Sequence, residues 1–83
     1  MMMSEQLDRI LSYYPDEEFI IATGFNEAII GVDEYSMRLI YSMEKCLDIL
    51  MDQGMAQDEA EEYFDYNVAG AYVGDKTPIW SFP

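Results

Sequence analysis

The stretch AIIGVDEYSMRLIY, residues 28–41, decides the fold, because two apolar runs in it are separated by turn-forming residues. Residues 28–32 and 38–41 are rich in β-branched and aromatic side chains, which favour strands. Residues 33–36 connect the runs and include aspartate and serine, which favour turns. The sequence therefore predicts two antiparallel strands, with the opening of the following helix as the alternative for the second run.

A third apolar run, FIIA at residues 19–22, precedes this pair. The segment GFNE, residues 24–27, separates it from the next run and has turn chemistry. We therefore expect residues 18–32 to form a hairpin, so that three strands make an antiparallel meander. Adjacent isoleucines blur the alternation of apolar and polar residues, which is typical of a sheet covered on much of both faces.

Apolar residues at helical spacing predict a helix before the sheet. Ser4 is a suitable N-cap, because its hydroxyl can accept a hydrogen bond from a free N–H of the first turn. Pro15 ends the segment, since proline disfavours helix in the residue before it. The apolar face consists of Leu7, Ile10, Leu11 and Tyr14.

Two further helices are predicted after the strands. Ser42 can cap the first, and Gly54 stands where a helix-ending glycine belongs. The second begins near Gln57 and is expected to stop near Gly74. Residues 77–82 then run extended, either as an edge strand or packed over the core. The predicted fold class is α+β, with helices packed on a three-stranded antiparallel meander in the order α-β-β-β-α-α.

Length and composition indicate one small acidic domain. The 83 residues suffice for a single domain, residues 1–83, and a hydrophobic content of 51% argues against disorder. Seventeen acidic residues face four basic ones, so the formal net charge is −13. That charge disfavours DNA, RNA and anionic membranes as direct partners, and it favours basic proteins, polyamines or cations. The alternative is that the charge only keeps the domain soluble.

Few residues in the chain are suited to catalysis. Histidine, the commonest general base, is absent from the sequence, and so is a phosphate-binding glycine-rich loop. Cys46, the single cysteine, stands among apolar residues and is expected to be a buried, unreactive thiol. The acidic segments 16–18 and 33–34 contain ligands that suit Ca²⁺ or Mg²⁺, but solvated loops are the favoured interpretation. We therefore expect no enzyme, no cofactor and no metal site.

Acidic residues line up along the two predicted helices of the C-terminal half. They repeat at three or four residues, so each set lies on one helical face. Carboxylates one turn apart are separated by about 6 Å along the axis, near the phosphate step of a nucleic-acid strand. The seven residues are Glu44, Asp48, Asp52, Asp58, Glu61, Glu62 and Asp65. We predict that they bind a basic nucleic-acid-binding protein as a nucleic-acid mimic; the alternative is that they are ordinary solvated helix faces.

The segment EYFDYNVAGAYVG at residues 62–74, followed by TPI at residues 77–79, resembles the end of small uncharacterised proteins encoded by tailed bacteriophages. The other segments that fit this family pattern are residues 29–33, 38–42, 49–51 and 54–60. The resemblance implies a phage gene product that acts in the cytoplasm of a bacterial host, and it supplies no catalytic residues. The lone cysteine, and the absence of a signal peptide or membrane-spanning run, predict the same location.

Aromatic residues in the C-terminal third form a candidate self-association surface, because exposed tyrosine and tryptophan are common interface anchors. These residues are Tyr66, Tyr72, Trp80 and Phe82. Packing through them would give a homodimer, which would help a small domain. The alternative function is therefore a self-associating structural or accessory phage protein. In the competing interpretation, Trp80 folds back and fills the core.

Overall fold

The computed structural model describes residues 4–71 and 73–82. Within them the chain forms three α-helices and one three-stranded sheet in the order α-β-β-α-α-β. The helices are α1 (Glu5–Tyr13), α2 (Met43–Asp52) and α3 (Gln57–Phe64). The strands are β1 (Ile29–Asp33), β2 (Arg38–Ser42) and β3 (Ile79–Ser81). A 3₁₀ turn, Asn26–Ala28, precedes β1, and a π-helical turn, Asp65–Ala69, continues α3.

The hairpin predicted from residues 28–41 is confirmed. β1 and β2 pair antiparallel, with Asp33 opposite Arg38 at the turn. The backbone oxygen of Asp33 accepts from Met37 N at 2.7 Å, and its carboxylate accepts from Ser36 Oγ at 2.7 Å. The hydroxyl of Ser36 is the main reason that the pKa of the Asp33 carboxyl lies below its ordinary value. The second apolar run is therefore a strand, and the alternative of an early helix start does not apply.

The predicted antiparallel meander is wrong, because the third strand comes from the C-terminus. β3 pairs parallel with β2, and Tyr41 stands opposite Trp80 in that pairing. β2 is therefore the central strand, and residues 19–22, which were expected to pair with residues 28–32, form no strand beside β1. A parallel neighbour requires a long crossover connection, which α2 and α3 provide.

Residues 19–22 form no strand despite their high strand propensity. The N–H of Ala22 donates to the hydroxyl of Tyr41 at 2.8 Å rather than to a neighbouring strand. Phe19 and Ala22 are partly buried against the core. Packing and this side-chain hydrogen bond therefore hold the segment, and the predicted order α-β-β-β-α-α is replaced by α-β-β-α-α-β.

The predicted capping serines of α1 and α2 are confirmed. Ser4 Oγ accepts from Leu7 N at 2.9 Å, and Ser42 Oγ accepts from Lys45 N at 3.2 Å. Each bond satisfies one of the N–H groups that the first turn of a helix leaves free. α1 ends at Tyr13, before the proline that was expected to stop it.

Gly54 ends α2 as predicted. Its φ of 104° lies in the left-handed region, which glycine adopts without strain. The N–H of Gly54 donates to Met51 O at 3.0 Å, and the N–H of Met55 donates to Leu50 O at 3.4 Å. These bonds satisfy two carbonyls at the helix end. The chain then turns at once into α3, which packs against α2.

α3 begins where predicted, but it ends well before Gly74. Ala56, at the N-cap position, has no side-chain acceptor, while its N–H donates to Glu59 Oε1 at 3.0 Å. This arrangement is half of a capping box. From Asp65 the helix continues as the π-helical turn, in which Gly70 N donates to Asp65 O at 3.1 Å. Gly74 instead lies in the loop before β3.

A line of three aromatic rings joins the sheet to α3. Tyr41, on the central strand, is fully buried. Its ring centroid lies 5.0 Å from that of Trp80, which lies 5.3 Å from that of Phe64 in an edge-to-face arrangement. The buried core residues are Leu7, Ile10, Phe25, Ala28, Ile29, Leu39, Tyr41, Cys46, Leu50, Ala60 and Phe64.

Candidate functional site

The acidic row of α2 lies on the face opposite the core. Cys46 and Leu50 are buried, whereas the carboxylates of Glu44, Asp48 and Asp52 are exposed. Residues four apart stay on one helical face, because a helix turns by about 100° per residue. Glu44 also stands in the first turn, where the helix dipole favours a negative charge. The structure therefore places all three residues at the surface, in one row.

The acidic residues of α3 and of the π-helical turn are exposed as well. Ala60 and Phe64 bury one side of α3 in the core. The exposed carboxylates are those of Asp58, Glu61, Glu62 and Asp65. Because α3 packs against α2, one helix pair carries both sets. We call the seven residues of the two sets the acidic rows.

The basic residues of the domain form no salt bridge with the acidic rows in the part of the chain that the structure describes. Lys76 Nζ lies 3.0 Å from Glu17 Oε1, which is the sole salt bridge within residues 4–71 and 73–82. Arg38 Nε donates to the backbone oxygen of Thr77 at 2.6 Å. Two of the four basic side chains are thus engaged elsewhere. In the part of the chain that the structure describes, none of the row carboxylates has a salt-bridge partner.

The like charges within the acidic rows carry an energetic cost. Like charges one turn apart destabilise a helix by about 0.2–0.5 kcal/mol per pair. Asp48 has such a neighbour on each side, at Glu44 and at Asp52. At physiological salt the screening length is about 8 Å, longer than the roughly 6 Å step within a row. The repulsion therefore persists in solution, and a cationic partner would relieve it.

A groove of about 280 Å³ lies beside the aromatic core. Its walls come from three separate parts of the chain: residues 20–25, the stretch from Tyr63 to Ala71 together with Val73, and residues 78–80. Most of the lining side chains are aliphatic or aromatic, and none of the described lining residues is charged. We call this depression the apolar groove.

A second depression, of about 340 Å³, shares part of its lining with the apolar groove. We call it the acidic cup; it is lined by Met55, Glu59, Glu62, Tyr63, Tyr66 and Asn67. Tyr63 and Asn67 line both depressions. Glu62 belongs to the acidic rows, so the cup connects the rows to the groove.

The C-terminal aromatic residues occupy two environments. Tyr66 and Phe82 are 80% and 70% exposed. Trp80 is partly buried against the core, as the competing interpretation proposed. Its indole N–H is buried without an acceptor among the described residues, at a cost of about 1–3 kcal/mol that ring packing must offset. Tyr72, the remaining member of the predicted self-association surface, lies outside the described residues.

The single cysteine of the chain lies in the core. Cys46 is fully buried, and burial raises the pKa of its thiol to about 12. Within residues 4–71 and 73–82, no three acidic or cysteine side chains are grouped to hold a metal ion. Over the same residues, the structure contains no helix with the length and apolarity that a membrane crossing requires.

The apolar groove and the acidic cup were not predicted from the sequence. Of the cup residues, only Glu62 and Tyr66 stood in a predicted site. Tyr63 and Asn67, which line both depressions, are four residues apart. This spacing puts two polar groups on a largely apolar helical face, and it is the only local feature of the sequence that points to the border. The rest of the groove comes from segments that are distant in sequence, so periodicity along one helix does not report it.

Comparison of the chain with protein-family models, with curated proteins and with solved structures finds no match. The function of the chain must therefore be inferred from the shape and charge of its surface.

Proposed function

We propose that this protein is a non-enzymatic acidic interaction protein that binds and modulates a basic, nucleic-acid-binding protein. The observation that supports the proposal is the set of seven exposed row carboxylates without a salt-bridge partner in the described part of the domain. The net charge of −13 adds a long-range field that attracts basic partners and speeds encounter with them.

Mimicry of a nucleic acid is the specific form of this proposal. The α2 row presents carboxylates at four-residue intervals of about 6 Å along the axis, and the α3 set repeats at three and four residues, or about 4.5–6 Å. A protein groove that binds a phosphate backbone contacts it with arginine, lysine and other hydrogen-bond donors. The two acidic rows would occupy such a groove and exclude the nucleic acid.

The resemblance to small phage proteins supports a setting for this activity. A phage gene product of this kind would act in the cytoplasm of the infected bacterium, where nucleases, restriction enzymes and RNA polymerase present basic grooves. Its effect there would be to modulate the bound host protein.

A pull-down from bacterial lysate tests the proposal. We expect immobilised protein to capture one basic nucleic-acid-binding protein or complex at low salt and to release it along a salt gradient, because exposed ion pairs are screened. The captured proteins are identified by mass spectrometry. Capture of no specific protein would contradict the proposal.

Self-association is the second candidate, and the exposure of Tyr66 and Phe82 is the observation that favours it. In the same experiment it predicts that the bait itself runs as a stable oligomer and captures no specific partner. Because burial of aromatic rings is largely apolar, such an oligomer would be unchanged or strengthened by salt, in contrast to the salt-sensitive complex.

A further inference from the structure

The apolar groove and the acidic cup differ sharply in chemistry although they share a border. The groove offers aliphatic and aromatic surface from three chain segments. The cup offers the carboxylates of Glu59 and Glu62 beside the rings of Tyr63 and Tyr66. Tyr63 is 43% exposed at the shared border and is accessible from solvent. A ligand that covers both depressions therefore needs an apolar part next to a cationic part.

The cup suits the side chain of arginine or lysine. Carboxylates form charge-assisted hydrogen bonds with a guanidinium or ammonium group. A cation near the face of a tyrosine ring gains a further attraction. Glu62 has no hydrogen bond or salt bridge to its side chain within the described residues. Only one oxygen of Glu59 is engaged, by the N–H of Ala56, so the other can still accept a bond.

Charge complementarity identifies the occupant as basic. None of the four basic residues of the chain, all of which the structure describes, lines the groove or the cup. A second copy of this chain would bring a further charge of −13 against two carboxylates. A basic segment of another protein meets no such repulsion.

We propose that the apolar groove and the acidic cup together bind a basic segment of a partner protein. The segment places one apolar side chain in the groove and an arginine or lysine in the cup. This inference rests on the proposed function, since both require a basic partner. It adds a defined anchor point to a contact that otherwise depends on diffuse charge.

An extended conformation fits this two-part surface. In a strand, alternate side chains point to the same side and stand about 7 Å apart. Tyr63 stands at the border between the two depressions, so the two side chains of the ligand would lie on either side of it. The step of about 7 Å is comparable with the length of one tyrosine side chain. The expected recognition element is therefore an apolar residue followed or preceded, two positions away, by a basic one.

Peptide titration followed by ¹H–¹⁵N NMR tests this inference. The probe is a short glycine–serine peptide with one leucine and one arginine two positions apart. In one control peptide serine replaces leucine, and in the other glutamine replaces arginine. We expect the probe to shift the amide signals of Tyr63, Asn67 and Ala71. We expect about tenfold weaker binding without the leucine, because burial of one leucine-sized side chain is lost.

Matched variants locate the binding surface. A71F fills the groove, while A69F adds the same bulk at an exposed position that does not line it. We expect about a tenfold loss of peptide affinity for A71F and none for A69F.

E59Q combined with E62Q removes the charge of the cup and leaves a glutamine that can still cap Ala56. This double variant should weaken binding about fivefold at low salt, and E44Q combined with D48N should change it less. Thermal melting of each variant checks the fold.

The outcomes separate this inference from the proposed function. Shifts at the groove and cup, lost in A71F and kept in A69F, support the inference. Shifts spread over both acidic rows and unchanged in A71F would refute it while leaving the proposed function intact. If neither the peptide nor any basic protein binds, both proposals fail. Groove signals that move with the concentration of the protein alone would identify a second copy as the occupant and overturn the inference.

Discussion

Replacement of Phe64 by alanine is expected to destabilise the domain by about 3–5 kcal/mol. Phe64 is 1% exposed and packs edge-to-face on Trp80, which in turn packs on Tyr41. The substitution removes the ring that joins α3 to the sheet and leaves a cavity. Because domains are stable by only about 5–15 kcal/mol, this loss removes a large share of the stability, and F64A is partly unfolded without denaturant if the wild type lies at the lower end of that range.

Urea unfolding measures this effect, with the emission of Trp80, the single tryptophan, as the probe. Y66A is the matched control, since its ring is 80% exposed and lies two residues away. We expect the control to stay within about 0.5 kcal/mol of the wild type. An F64A protein within about 1 kcal/mol of the wild type would show that the aromatic line does not hold the fold.

Neutralising four row carboxylates is expected to abolish capture of the basic partner. The variant combines D48N, D52N, E61Q and E62Q. Each lost ion pair contributes up to about 1 kcal/mol, so the four together weaken binding by up to about a thousandfold. All four side chains are exposed, and like-charge pairs one turn apart are relieved on both helices, so the variant should be at least as stable as the wild type.

A second variant separates the position of the charges from their number. E5Q, D8N, D16N and E18Q neutralise four exposed carboxylates on α1 and the loop after it. Both variants reduce the net charge from −13 by four, to −9. The proposal predicts that this control still captures the partner in the pull-down. Equal loss in both variants would mean that overall charge, and not the acidic rows, governs binding.

Local signals predicted much of the fold. The turn at Asp33, the serine caps and the glycine at position 54 each lie within a few residues of the element that they define. Their effects depend on hydrogen bonds between near neighbours, such as that from Ser36 to Asp33. A sequence therefore reveals them without knowledge of the tertiary structure.

The pairing of the third strand could not be predicted in the same way, although residues 77–82, which contain β3, had been given as a possible edge strand. Parallel pairing of Trp80 with Tyr41 joins residues that are far apart in the chain, and no turn signal marks it. Residues 19–22 have the stronger strand propensity, yet they lie outside the sheet. Burial of the Trp80 ring against Tyr41 and Phe64 favours the C-terminal segment over residues 19–22 as the third strand.

In the candidate site, too, the local feature could be predicted from the sequence and the long-range feature could not. The acidic rows follow from the helical period alone, because exposed positions on one helix repeat every three or four residues. The apolar groove requires residues 20–23 and 78–80 to meet the end of α3. The π-helical turn also shifts the positions of Asn67 and Ala71 relative to a regular helix. Neither feature leaves a pattern within a single segment.

Competition with DNA tests the central claim most directly. A fluorescently labelled DNA duplex is bound to the captured basic protein, and the acidic protein is titrated into the complex while anisotropy is recorded. If the acidic rows occupy the nucleic-acid groove, the anisotropy falls to that of free DNA, and the variant with four neutralised row residues leaves it unchanged. An anisotropy that rises with the wild-type protein would show that both ligands bind together, and one that stays constant would show that the DNA is not displaced; either result would contradict mimicry.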